Sequence, residues 1–204
     1  MTIFDVTLCC IGSEKYRDQQ QKMLDYCSSK VELESVKNII VPTNSIDEWN
    51  RAVVFDLGDY IETDYALLVH PDGGIADPEM WDEKWKEYDF IGAPFPLPID
   101  SFSYRDINGV VQRVGNSVSL RSKKLMQLPK KIGMEWRDWY GYFNEDGYIS
   151  VNMRHVFEEH GCKYAPLSEA MKFGRETPLP EYTGKTFMYH KNFGQNLYLP
   201  NYET

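Results

Sequence analysis

The chain has 204 residues, 42% of them hydrophobic and 14% aromatic, and a formal net charge of -9. That length points to one large domain or two small ones, with enough apolar content for a full core. So acidic a chain argues against a nucleic-acid partner, because phosphate backbones demand clustered Lys and Arg; a phosphorylated ligand would need a divalent cation to offset the repulsion.

In chain order, Ile3 to Ile11 reads as a buried strand closed by Gly12-Ser13. Ser13 is placed to cap a helix reaching about Ser28, with Tyr16, Met23, Leu24 and Cys27 on its apolar side. Val36 to Val41 is a second strand, and Ser45 to about Leu57 a second helix with Ile46, Trp49, Val53 and Val54 at helical spacing. Tyr65 to Val69 is the third strand. Alternation of strand and helix predicts a parallel sheet with crossover helices.

Beyond Gly74, Asp77 caps and Pro78 opens a short helix, with Trp81 and Trp85 one turn apart. Tyr88 to Pro94 is a short strand. Residues 95–112 read as a loop with a small ribbon around an Ile107-Asn-Gly-Val110 hairpin signal. Gln112 to Leu120 is strand-like, broken at Gly115-Asn116, and Ser122 to Leu128 is a short helix. An aromatic loop follows, with Trp136, Trp139, Tyr140 and Tyr142. Asn144 caps a helix from about Glu145 to His160, on which Ile149, Met153, Val156 and Phe157 form the buried stripe. Lys163 to Ala165 is a short strand, Ser168 to Phe173 a helical or extended piece, and the tail from Thr177 wraps the surface. With no interdomain linker, residues 1–204 are expected to form a single domain.

Adjacent Cys9 and Cys10 should face opposite sides of their strand, and no C-x-x-C spacing suggests zinc; the cysteines fit a reducing compartment. No basic region leads into an apolar run at the N-terminus and no window is long enough to span a membrane, so a cytoplasmic, soluble protein is expected.

The segment with most chemistry is Tyr65-Ala-Leu-Leu-Val-His-Pro-Asp-Gly-Gly74. A strand runs into a carboxylate at the rim of the sheet, where ligands of α/β folds bind, and glycines then permit close backbone approach. Asp72 is the candidate ligand for a metal that carries a phosphate; an Asp-Gly hairpin turn is the plainer alternative. His70 shares its face, i and i+2 along a strand, and is free to touch the metal or a nucleotide. Glu145-Asp146 open a helix, where acids suit the dipole; the functional alternative is an acid pair at a cleft mouth, one acting on an acceptor hydroxyl. His190 becomes a ligand only if the tail folds back over Asp72, and a carboxylate with imidazole suits Mn²⁺. Gly115, Asn116 and Ser117 pair a permissive backbone with groups that bind sugar hydroxyls, or else form a bulged turn. No G-x-G-x-x-G, G-x-x-x-x-G-K-[ST] or G-x-S-x-G occurs, which lowers dinucleotide oxidoreductases, P-loop enzymes and α/β-hydrolases.

Taken together, Leu68-Val-His-Pro-Asp-Gly73, Trp81, Tyr88 to Pro94, Val114 to Ser122, Asn144-Glu-Asp146 and His190 resemble the GT-A glycosyltransferases. The likeness is nearest to a glycosyltransferase-like domain family of bacteria, fungi and large algal viruses, and covers roughly residues 60 to 195. It implies an α/β fold with a Rossmann-like, mostly parallel central sheet, flanking helices and a small antiparallel ribbon. Residues of about 1–74 would form the nucleotide-binding half and about 75–204 the acceptor half and tail. It implies a nucleotide-sugar donor, above all a UDP-sugar, a glycan acceptor, and Mn²⁺ or Mg²⁺ as cofactor. Asp72 would be the last acid of the D-x-D motif, with His70 where its first acid stands, so that His190 gains weight as a metal ligand. Cys10, Ile11 and Gly12 would lie by the nucleobase and ribose. Arg51 would approach the nucleotide or its diphosphate, and Gly73, Gly115, Asn116 and Ser117 would complete the donor site. Glu145-Asp146 would face the acceptor, with Asp146 as base in an inverting enzyme. The rival readings are a nucleotidyltransferase and a non-catalytic carbohydrate-binding protein on the same fold.

Overall fold

In a computed structural model, the described residues are 1–137 and 144–191. A five-stranded sheet has the order β2-β1-β3-β5-β4. It is built from β1 (Thr2–Gly12), β2 (Glu32–Ile40), β3 (Tyr65–Leu68), β4 (Phe90–Pro94) and β5 (Val114–Ser122). β1 is parallel to β2 and to β3, and only β5 runs against its neighbours, so four strands share one direction. The helices are α1 (Arg17–Lys30), α2 (Ile46–Arg51), α3 (Leu57–Tyr60), α4 (Lys123–Lys131), α5 (Glu145–Gly147), α6 (Arg154–Glu159) and α7 (Leu167–Phe173). A short parallel pair, β6 (Gly174–Arg175) and β7 (Met188–Tyr189), closes the described chain.

Both faces of the sheet are covered, as near-continuous apolar strands require. Leu8, Cys10, Leu67 and Val69 pack on one side with Met23, Leu24 and Cys27 of α1. Cys9, Ile11, Ala66 and Leu68 pack on the other with Val53, Leu57 and Met126. Cys9 and Cys10 thus fall on opposite faces and are free thiols. The aromatic surplus is largely core: Trp85 meets Trp81 at 5.6 Å, Phe173 at 5.2 Å and Phe187 at 5.8 Å between ring centroids.

Several local expectations are corrected. Ser13 makes no side-chain cap, because a 3-10 turn, Glu14–Tyr16, intervenes before α1. The second strand begins earlier, at Glu32, where it pairs with Thr2. β5 runs on through Gly115-Asn116, but the expected irregularity is there: its register with β4 shifts between the Gly92–Ser119 and Pro94–Val114 pairs, and Asn116 stands at φ +79°. The helix foreseen from Glu145 to His160 is α5, a π turn (Tyr148–Asn152) and α6, parted at Met153. Asn144 starts α5 without a side-chain cap. The strand at Lys163 to Ala165 shrinks to one bridge, Tyr164 to Phe90, and the antiparallel ribbon to the bridge Arg105–Val111. Trp139, Tyr140 and Tyr142 of the aromatic loop lie outside the described residues.

Candidate functional site

The C-terminal ends of β1 and β3 lie side by side and open onto one rim. There His70 and Gly73 bond each other's backbone at 2.9 and 3.0 Å, which lifts Asp72 to the tip of a tight turn. The tail then returns alongside this turn. Ala76 N–H donates to Phe187 O (2.7 Å), Tyr189 N–H to Gly74 O (2.9 Å) and Lys191 N–H to Asp72 O (2.9 Å). The approach is close enough to require glycine: a Cβ on Gly73 would lie 2.8 Å from Val118 Cγ2 and 2.9 Å from both His190 Cδ2 and Tyr189 O.

The result is a cluster of three donors. One ligand atom each of His70, Asp72 and His190 lies within 4.8 Å of the others. His190 Nε2 is 3.6 Å from Asp72 Oδ1, and the two imidazole rings are 5.2 Å apart. Trp49 braces the group: its ring meets His70 edge-on at 5.4 Å, and its Nε1–H donates to Ile11 O at 2.8 Å.

Electrostatics favour the ligand forms. The His190 imidazole beside Asp72 holds that carboxyl down at about 2. Burial, then the second imidazole, push His70 down to about 3, so it stays neutral at physiological pH. Its Nε2 is buried without a hydrogen-bond partner, a deficit that ligation of the ring relieves. Two imidazoles and one carboxylate fit Mn²⁺ and its transition-metal neighbours better than Mg²⁺, which prefers oxygen.

The cluster stands in a cleft of about 2020 Å³. It is lined by Ile11, Gly12 and the α1 side chains Gln20 and Tyr26, by the segment Val41–Ser45 with Trp49, and by Ser117, Asp146, Glu176 and Lys191. Burial, then the charge of Glu145, push Asp146 up to about 7. Glu145 itself is fully buried and does not stand at the cleft mouth. Its Oε1 accepts from Arg121 Nη2 (2.9 Å), and its Oε2 from Ser117 Oγ (2.9 Å) and the Asp146 N–H (2.7 Å). Its own N–H donates to Asn50 Oδ1 at 3.1 Å, tying α5 to α2. Its four-partner network makes it a support beneath Asp146 and leaves no free oxygen for an acceptor.

Of the residues named from sequence, Ile11, Gly12, His70, Asp72, Ser117, Glu145, Asp146 and His190 line the cleft. Five do not. Cys10 faces the core and donates its thiol to Val69 O at 2.8 Å. Arg51 is exposed and away from the cleft; it follows Trp49 by two residues, about 200° around the helix. Gly73 is buried beneath the returning tail, Gly115 lies against the Phe95 ring, and Asn116, 1% exposed, bonds Glu176. Sequence reasoning assigned Trp49 to the core stripe alone and passed over Glu176 and Lys191. Both lie in a Pro- and Tyr-rich stretch without periodicity, so no local signal marks them.

The model of the DUF5672 family, described as a protein of unknown function, matches residues 43–193. No curated protein matches the chain. Among solved structures, a glycosyltransferase involved in the glycosylation of the major capsid of PBCV-1 is similar over 91% of both chains, with a TM-score of 0.58 at 12% identity. An active-site mutant of LgtC gives a TM-score of 0.54 at 11% identity, over 91% of this chain and 86% of that one. The galactosyltransferase LgtC in complex with donor and acceptor sugar analogues gives 0.50 at 14% identity, over the same 91% and 86%. The fold is that of GT-A glycosyltransferases.

Proposed function

We propose that this chain, which belongs to the DUF5672 family, is a metal-dependent glycosyltransferase that moves a sugar from a nucleotide diphosphate sugar, a UDP-sugar first, to an acceptor hydroxyl. The observation that carries the reading is the His70, Asp72 and His190 cluster lining a cleft of about 2020 Å³ in a GT-A fold.

In this reading Asp72 and His190 hold the ion, with His70 as third donor. When bound, a divalent ion supplies Lewis-acid neutralisation of the departing nucleoside diphosphate. The nucleoside lies against Ile11 and Gly12, between α1 and the Val41–Ser45 segment, so residues of about 1–74 form the donor half of one domain. Asp146 stands beside the cluster with a carboxyl pushed up to about 7. A group with that affinity for protons suits a base that takes the acceptor's hydroxyl proton at neutral pH. Ser117 and Glu145 fix the backbone on which Asp146 rides.

Thermal melts across a panel of nucleotide sugars, with and without Mn²⁺, test the reading. A donor at 100 times its Kd adds about 2.7 kcal/mol, roughly 5–11 °C for a chain of this size. The shift should need Mn²⁺ and vanish in Asp72→Asn. Stabilisation by none of the panel would end the donor reading, and binding without slow hydrolysis or transfer would favour a non-catalytic sugar-binding protein.

A further inference from the structure

The two ring nitrogens of His190 meet different surroundings. Nε2 faces the donor cluster, 3.6 Å from Asp72 Oδ1. Nδ1 is buried without a hydrogen-bond partner, and the Oε1 of Glu176 lies 3.9 Å away. A neutral imidazole that ligates an ion through one nitrogen carries its proton on the other, and that proton needs an acceptor.

Glu176 is held for this task from both sides. Its Oε2 accepts from Asn116 Nδ2 at 2.5 Å, and its Oε1 pairs with Lys191 Nζ at 2.5 Å. Only 15% of its side chain is exposed. Asn116 reaches it from a backbone at φ +79°, the left-handed region that few residues other than glycine enter. Its Oδ1 is meanwhile occupied by the Val118 N–H at 3.1 Å, so the carboxamide is locked in one orientation. Asparagine is among the residues that adopt this conformation most readily, and the Val118 bond leaves its amide nitrogen for Glu176.

We propose that Glu176 is the positioning carboxylate of His190. It accepts the Nδ1 proton, fixes that tautomer, and leaves the Nε2 lone pair to the ion shared with Asp72 and His70. At 3.9 Å the two atoms lie just beyond hydrogen-bond length, and a small turn of the Glu176 side chain closes the gap. The inference rests on the metal-binding reading above but concerns the residue behind the ligand, and its first test needs neither ion nor sugar.

Long-range ¹H–¹⁵N NMR of the wild-type protein at pH 8 reports which nitrogen of His190 carries the proton. Nδ1–H is expected. Glu176→Ala should move the proton to Nε2, whereas Glu176→Gln, whose carbonyl still accepts, should keep it on Nδ1. Calorimetric Mn²⁺ affinity should fall 10- to 100-fold in the Ala variant and clearly less in the Gln variant. Both variants lose the Lys191 ion pair, so the difference between them isolates the acceptor. An Nε2–H tautomer in the wild type overturns the assignment, as does a Glu176→Ala protein with unchanged tautomer and Mn²⁺ affinity. Should Glu176→Ala not fold, the wild-type tautomer and the Gln variant decide the matter. A protein that passes these tests yet binds no nucleotide sugar would refute the proposed function and not this assignment.

Discussion

Replacing Arg121 by Met removes the positive partner of a carboxylate that has no access to water. Arg121 and Glu145 are both 0% exposed and meet at 2.9 Å. Arg121 also donates from Nε to Ser119 Oγ at 2.8 Å, and its guanidinium lies 5.7 Å from the Phe90 ring centroid. In Arg121→Met, Glu145 keeps two neutral donors, the Ser117 hydroxyl and the Asp146 N–H, which do not balance a full charge. Breaking a buried pair from one side costs about 3–5 kcal/mol. For a chain of this size that is roughly a 6–20 °C fall in Tm. Glu145→Gln should cost a similar amount, since it strands the guanidinium. The double variant buries no unpaired charge and should be destabilised by less than the sum of the two, with a coupling of about 2 kcal/mol or more. Urea unfolding at pH 7.5, with unchanged m values, measures all three. A loss under about 1 kcal/mol in Arg121→Met, or strictly additive single losses, would refute the view that Glu145 is a structural support and restore it as a candidate acid of the reaction.

Asp72→Asn should keep the fold and lose Mn²⁺-dependent donor binding, read by calorimetry. Asp146→Asn should lower transfer by about 10²- to 10⁴-fold if Asp146 is the base, with donor affinity nearly constant; loss of donor binding instead would assign it to the donor side. The same variant tests linkage. The folded value of about 7 stands above the ordinary 3.8, so the folded state binds more protons, and wild-type stability falls as pH rises between those values. Asp146→Asn should therefore be the more stable protein at pH 8, by up to roughly 4 kcal/mol at about 1.36 kcal/mol per pKa unit, and the gap should close below pH 4. Gly73→Ala forces a methyl against the Tyr189 carbonyl and His190, so about 1–3 kcal/mol of stability should go together with part of the Mn²⁺ affinity; a normal melt and normal Mn²⁺ binding would show that the tail yields freely.

What the sequence determined by itself is what local periodicity encodes. Near-continuous apolar runs in β1 and β3 dictated a sheet covered on both faces, and the two-residue period of a strand set Cys9 and Cys10 on opposite sides. The run from Leu68 to Gly74 marked His70 and Asp72 as a pair just past a strand end, but not for the reason of a shared strand face: β3 stops at Leu68, and the turn closed by His70 and Gly73 brings the two together. The tertiary structure alone decided which distant groups meet there. His190 joins Asp72 because tail backbone hydrogen bonds lace residues 187–191 along residues 72–76, a pairing with no periodic signature. Glu145 and Asp146 are neighbours in sequence with opposite fates. Both border the cleft, but one is captured by Arg121 on β5, 24 residues earlier, with no exposed surface, and the other stays partly exposed. Arg51 is lost from the cleft by helical phase, which Trp49 sets by packing on His70 and Ile11. Charge, burial and partner are properties of the assembled site, and a carboxylate's neighbours tens of residues away are fixed only when the strands that carry them are in register.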